Sequence, residues 1–317
     1  MKDKEIITSI FGENSLLDYP MSSRVQTISW DGLWVDIKRD DELSCGIAGS
    51  KYRKYLSLVP YIKNYKHDHV LAEGSEFSNN ILGLAQIFNE HKIDSTFFLK
   101  KGYSESAVNK KLIDILTKPE AIEILPRKTW PDRQSLIDEK FAISKSKGHN
   151  PIFLPEGAFH VASLPGAMTL ALDIDLSKYT SIYIDAGTGM SFLGLYFGLK
   201  ILGYTGKIYV ISLVEPSGYY DAQINHFQSL IPKLSQNQAI PFEVIHLKKS
   251  KSFGSQNKQT MKDIRKLACD HGILTDPIYS GKSIPRAMEH CKGVANNGSS
   301  SLIIHSGGTL SLPGFLI

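Results

Sequence analysis

Beyond residue 180 the chain alternates in a way that few folds accommodate. Residues 180–184 (TSIYI), 207–212 (KIYVIS), 242–245 (FEVI) and 301–304 (SLII) are short apolar runs. A glycine turn at 186–191 and a helical stretch at 192–202 follow the first run, and a second helical stretch at 220–234 follows the next. Strands alternating with helices mean a mostly parallel sheet with helices on both faces. The first half predicts the same α/β class. A strand at 33–38 (LWVDIK) is the first ordered element expected. Helical spacing of Tyr52, Tyr55, Leu56 and Val59 begins at Lys51. A short strand at 69–71 should run into a polar turn at 73–80, followed by a helix at 81–91 and strands at 94–99 and 151–154. Residues 101–150 read as a less regular, charge-rich region. Such sheets bind ligands at the carboxyl ends of their strands, where the unusual turns of this sequence fall.

The length of 317 residues allows one large domain or two modest ones sharing a cleft. A net charge of +4 gives no reason to expect nucleic acid, and the short basic run at 246–251 (HLKKSK) reads as a solvated loop. Cys45, Cys269 and Cys291 cannot all pair and include no CxxC spacing, so a disulfide scaffold and a cysteine metal site are not expected. They read as reduced thiols. The segment MKDKEIITSIFGENS lacks the apolar core of a signal peptide. No apolar run approaches the roughly 18–20 residues of a spanning helix. A soluble, cytoplasmic protein is expected.

Five segments carry chemistry. The turn Asp185-Ala186-Gly187-Thr188-Gly189-Met190-Ser191 links an apolar strand to a helix. Its amides and the helix N-terminus suit an anion, with Thr188 and Ser191 adding hydroxyls. It matches neither GxGxxG nor the GxxxxGK[ST] loop. Lys51 opens a helix after Ala48-Gly49-Ser50, so it can face a cleft. Arg53, Lys54 and the helix terminus favour a neutral amine, the form that makes an imine with an aldehyde. The plain alternative is a solvated first turn, since lysine is nearly always exposed. Ser78 or Asn79, in the segment 74–80 (GSEFSNN), could cap the next helix or surround a ligand. Residues 275–282 (TDPIYSGK) and 305–308 (HSGG) read by themselves as turns, the glycines of the second permitting close backbone approach.

In this order the segments resemble the family of 1-aminocyclopropane-1-carboxylate deaminases and D-cysteine desulfhydrases, which are pyridoxal-phosphate enzymes. Lys38-Arg39-Asp40-Asp41 looks like the family's KRDD, Gly49-Ser50-Lys51-Tyr52-Arg53-Lys54 is similar to its GGNKxRK, and Ser78-Asn79 looks like its QSN. Pro155-Glu156-Gly157, Gly187-Thr188-Gly189, the 276–282 segment and His305-Ser306-Gly307-Gly308 follow in family order. The resemblance spans about residues 30–310.

It implies the two-domain fold type II architecture, tryptophan synthase β-like. Residues 1–51 and 165–317 would form the larger, cofactor-binding domain, and residues 52–164 a smaller inserted α/β domain. A homodimer is the usual assembly. The resemblance also implies pyridoxal 5'-phosphate as cofactor. Lys51 would hold it as a Schiff base. Lys54, Gly187, Thr188, Gly189 and Ser191 would hold its phosphate. Asn79 would reach its ring hydroxyl, Ser280 its ring nitrogen, and Ser306 would line the site. Ser78 and Tyr279 would act on a small amino-acid substrate, beside Lys51 as third catalytic residue.

Three positions depart from the family: Ser50 stands for asparagine, Phe77 for glutamine, and Asn80 for the histidine of the desulfhydrases or the glutamine of the deaminases. The deaminase branch also has an acid where Ser280 stands. A neutral hydroxyl supplies no charge to the ring nitrogen, which favours a β-elimination/deamination over the more demanding opening of a cyclopropane ring. The expected reaction is that of a D-cysteine desulfhydrase-like lyase, giving a 2-oxo acid and ammonia, with the ring-opening deaminase (a hydrolase by class) as alternative. A nicotinamide-dependent oxidoreductase built on the 187–189 turn and Glu215, and a non-catalytic cofactor-binding homologue suggested by Phe77 and Asn80, are the readings from other classes.

Overall fold

Asp31 and Gly32 turn the chain between β1 (Val25–Trp30) and β2 (Leu33–Lys38), which pair antiparallel with Trp30 opposite Leu33. Both turn residues have positive φ, 46° and 82°, a geometry whose twist suits a hairpin and which Asp-Gly adopts readily. Helix α1 (Lys2–Phe11) and β1 therefore precede the strand expected to open the fold; the Asp-Gly pair was the hairpin's sequence signal. The computed structural model describes residues 2–19, 21–43, 49–102, 108–216, 218–247, 258–294 and 300–315. Most of the small-residue loop before Lys51, Cys45 included, and most of the HLKKSK run lie outside them.

Every other strand pair is parallel. β3 (His69–Ser75), β4 (Asp94–Lys100), β5 (Ile122–Leu125) and β6 (Pro151–Leu154) form a four-stranded sheet in the order β5-β4-β3-β6. β7 (Ser181–Ala186), β8 (Lys207–Ser212), β9 (Phe242–His246) and β10 (Ser301–Ile304) join the hairpin in a six-stranded sheet ordered β1-β2-β10-β7-β8-β9. The larger sheet is buried on both faces, as parallel strands require. Ile182, Ile184, Ile208 and Val210 belong to one apolar cluster, while Tyr183, Tyr209 and Ile211 belong to another; successive side chains point to opposite faces.

The structure corrects several expected boundaries. β3 runs on through Glu73 to Ser75, where a polar turn was expected. Glu73 is buried, and Arg133 pairs with its carboxylate. β9 includes His246. Residues 101–150 hold α4 (Val108–Leu116), β5 and α5 (Arg133–Ser146). α5 buries only Ile137 and Ser144, so its periodicity is faint. α6 (Leu164–Leu172) has the opposite problem. It packs against both α2 (Ser50–Asn64) and α7 (Met190–Ile201), and residues 164–171 are all buried, which removes any polar face.

The KRDD segment is the anchor of α2. Arg53 makes two bonds to Asp40, Nε–Oδ2 at 2.7 Å and Nη2–Oδ1 at 2.8 Å, and a third to Asp173 at 2.8 Å. Lys38 Nζ lies 2.6 Å from the same Asp173 carboxylate. Lys38, Asp40 and Arg53 have no solvent exposure. Charges are retained in such a place only when fully paired.

Candidate active site

Three strand ends and three helix starts meet in one cleft. Gly187, Thr188 and Gly189 follow β7 and lead into α7; Ser78 follows β3 and caps α3 (Asn79–His91); Ser306 follows β10; Tyr279 stands ahead of α10 (Ser280–Val294). The cleft encloses about 640 Å³ of atom-free space, its open mouth included. Lys51, Lys54, Ser78, Gly187, Thr188, Gly189, Ser191, Tyr279 and Ser306 all line it.

The start of α2 owes its position to a close approach. Gly49 has φ +88°, and a Cβ there would lie 1.9 Å from the Ser306 carbonyl oxygen. That carbonyl accepts the Ser50 amide at 3.0 Å. Only glycine tolerates both the dihedral and the contact. Lys51 is thereby half-buried, with Nζ 5.6 Å from the centroid of the Tyr279 ring. Burial pulls its pKa below the ordinary lysine range, against the opposing charges of Asp185 and Asp276. Arg53 does not contribute as the sequence suggested: on the other side of the helix, its charge is taken up by Asp40 and Asp173. Lys54 is buried and pulled well down, by burial first and then by Lys51. Among the described residues its ammonium meets only neutral acceptors, the Gly157 carbonyl at 2.6 Å and Asn80 Oδ1 at 3.2 Å.

Opposite these cations lies the turn after β7. Gly189 is the N-cap of α7, has φ 90°, and gives that helix no side-chain cap. The first amides of α7 are thus left for an anion. The Ser50 and Ser191 hydroxyls, 3.3 Å apart, stand beside them. Ser78 caps α3, its hydroxyl accepting the Ile81 amide at 3.2 Å, and also lines the cleft.

Two expected site residues do not line the cavity. Asn79 Oδ1 accepts from Asn109 at 2.9 Å, and its buried Nδ2 has no partner among the described residues. Ser280 is buried, donating to Asp276 Oδ1 at 2.8 Å and accepting the Asp276 amide at 3.0 Å. The 275–282 segment is no surface turn: Thr275 and Asp276 are fully buried. Asp276 also accepts the amides of Ile278, Tyr279 and Ser280. An Asp before Pro that gathers the next amides is a turn signature the sequence offered.

Glu156, Asp185 and Asn80 also line the cleft, without having been singled out as site residues. Asn80 had a signal, since it departs from the family pattern, and the structure shows it receiving Lys54 and the Tyr55 hydroxyl. Burial raises the Glu156 carboxyl, with Glu73 adding to it. Burial also raises Tyr279, reinforced by Asp276, Glu156 and Asp185.

The chain is similar to known proteins over most of its length. The profile of the family described as pyridoxal-phosphate dependent enzyme matches residues 32–307. A Thermotoga maritima protein, named provisionally as a 1-aminocyclopropane-1-carboxylate deaminase, is 25% identical over 293 residues, covering 89% of this chain and 90% of its own. A D-cysteine desulfhydrase of Salmonella paratyphi B is 23% identical, covering 89% and 88%. The crystal structure of an ACC deaminase homologue superimposes with TM-score 0.82 at 22% identity, covering 96% and 95%. The fold is fold type II, and the nicotinamide reading built on Glu215 gives way to the family match. The chain belongs to the pyridoxal-phosphate-dependent enzymes.

Proposed function

We propose that this enzyme removes a β-substituent and the amino group from a small amino acid, D-cysteine or a relative, giving a 2-oxo acid and ammonia. The observation that carries the reading is Lys51, an amine held low in pKa under the Tyr279 ring and opposite the open N-terminus of α7. The cleft fits pyridoxal phosphate. Among the described residues Lys54 has no carboxylate partner and Asn79 Nδ2 is an unused buried donor, while the α7 amides and the Ser50 and Ser191 hydroxyls are donors for a phosphate. When bound, the cofactor supplies a sink for the electron pair left beside the amino group of an amino acid.

The protein's own residues supply the rest. Lys51, with its lowered proton affinity, is the amine that holds the cofactor and the group that moves the proton at the substrate's α-carbon. Lys54, Thr188, Ser191 and the glycines between them hold the phosphate. Ser78, at the mouth of α3, faces the substrate carboxylate or carries a proton. Tyr279, kept neutral by burial and by the carboxylates around it, donates a hydrogen bond to the substrate. Ser280 is the neutral group nearest in sequence to that tyrosine, and its hydroxyl proton is already given to Asp276. A cofactor ring nitrogen held toward Ser280 would receive no charge from that hydroxyl, which supports loss of a β-leaving group rather than ring opening.

The division into residues 1–51 plus 165–317 and residues 52–164 belongs to the same proposal. It is supported by the confinement of one sheet to β3–β6 and of the other to strands outside that stretch. A homodimer in the cytoplasm is part of the same reading; no helix among the described residues is long and apolar enough to cross a membrane. The test is ammonia and 2-oxo acid release by the reconstituted enzyme from D-cysteine, β-chloroalanine and 1-aminocyclopropane-1-carboxylate. Release from the β-substituted substrates supports the proposal. Release from the cyclopropane alone overturns it in favour of the ring-opening deaminase.

A further inference from the structure

Asp185 lines the cleft, is 8% exposed, and has a carboxylate oxygen, Oδ1, that is buried without a hydrogen-bond partner among the described residues. A buried charge in this condition is costly unless something meets it. The neighbouring groups are committed elsewhere. Asp276 is met by three amides and a hydroxyl. The Tyr220 hydroxyl is shared between Ser212 Oγ at 3.1 Å and the Ala186 carbonyl at 3.4 Å. Lys54 is held by Gly157 and Asn80. Glu156 and Tyr279 line the same cleft, but neither gives Asp185 Oδ1 a hydrogen bond. Lys51 remains, an amine in the same cleft with no hydrogen bond or ion pair among the described residues and only the Tyr279 ring at 5.6 Å.

We propose that Asp185 is a primary-ammonium subsite: its open carboxylate oxygen takes the Lys51 ammonium once that side chain swings away from the Tyr279 ring, and a small primary ammonium ion when the lysine is absent. The subsite lies in the cleft of the reading above but needs neither the cofactor nor turnover. It gives Lys51 a resting place whenever a ligand's amine takes over the position it held. Asp185 acts in this through Lys51 and is a positioning residue.

The test uses the full chain freed of cofactor, as Lys51→Ala with and without Asp185→Asn. Thermal unfolding is followed as methylammonium chloride replaces sodium chloride at constant ionic strength. Methylammonium is expected to raise the midpoint of Lys51→Ala by about 2 °C or more, the size of shift that about 1 kcal/mol of binding produces. The double variant should not respond. Equal shifts in both proteins, or none in either, overturn the proposal. A second readout keeps the lysine in place: acetylation of Lys51 by acetic anhydride, quantified by mass spectrometry. Asp185→Asn should speed it severalfold at pH 8, and an unchanged rate also overturns the subsite. A chain that takes up no pyridoxal phosphate yet answers to methylammonium through Asp185 would lose the cofactor assignment of Lys51 and keep the subsite; a chain that binds the cofactor without this response would do the reverse.

Discussion

Arg53 and Asp40 face each other as a two-bonded ion pair, 2.7 and 2.8 Å, with no solvent on either side chain. Arg53 lies two residues beyond Lys51 on α2, and Asp40 two beyond the end of β2. The pair thus ties the helix that carries the reactive amine to the end of β2 in the large sheet. Asp40→Asn or Arg53→Met leaves an uncompensated buried charge on the partner, so either should cost about 3–5 kcal/mol of stability. Urea unfolding of the cofactor-free protein measures it; a loss below about 1 kcal/mol would mean the network is solvated.

Lys54 should show the opposite sign. Among the described residues its buried ammonium has only neutral oxygens for partners. Lys54→Met therefore should stabilise the cofactor-free chain, on the order of 1 kcal/mol, by removing a desolvated charge. The same change should weaken phosphate holding by at least about tenfold, since a charge-assisted bond is lost. Unfolding midpoints and pyridoxal phosphate titration, side by side, separate the two effects.

The lowered pKa of Lys51 makes a pH prediction. The unfolded chain keeps the ordinary value of 10.5, while the folded chain gives up the proton earlier. Between the two values the unfolded state binds more protons, so stability should rise with pH through that window and the penalty should be full below it. Lys54 shifts in the same direction. The slope of unfolding free energy against pH, from about 8 to 10, should fall in Lys51→Ala. A slope identical to wild type would show that the lysine titrates as an exposed one.

Lys51→Ala should also abolish the violet-region absorption band of the protein reconstituted with pyridoxal phosphate. A variant that retains the band would place the cofactor on another amine.

Gly49→Ala tests the geometry that aims Lys51. A methyl group would meet the Ser306 carbonyl at 1.9 Å on a backbone with φ +88°. The start of α2 must then withdraw from the strand end at Ser306. The expected cost is roughly 3 kcal/mol or more, from strain and steric conflict together, with the absorption band lost or shifted. A wild-type spectrum and midpoint would refute the close approach.

Much of this protein is legible in its sequence. β2, β6, β8 and β10 have the bounds their apolar runs predict, because a short buried strand is a local object bounded by the residues that end it. The glycine turns are equally local, since few other residues accept their dihedrals. They fall at strand ends, and the order of the motifs along the chain identified the family. Nine of the expected site residues line one cleft, although they come from segments far apart in sequence.

Tertiary structure decided what depends on a partner across the fold. α6 has no sequence period because both α2 and α7 cover it, and the buried Glu73 continues β3 with its carboxylate met by Arg133 and the Glu156 amide. Composition near Lys51 shows Arg53 and Lys54 as equivalent neighbours. Helical geometry sends one to a buried ion network and the other into the cleft. Asp185 and Asp276 are both acids beside turns, yet amides and a hydroxyl satisfy Asp276 while Asp185 keeps an open oxygen. The residue types set which groups could titrate or bind. Burial and the distance to the nearest opposite charge set which of them do, and those quantities arise only when the chain is folded.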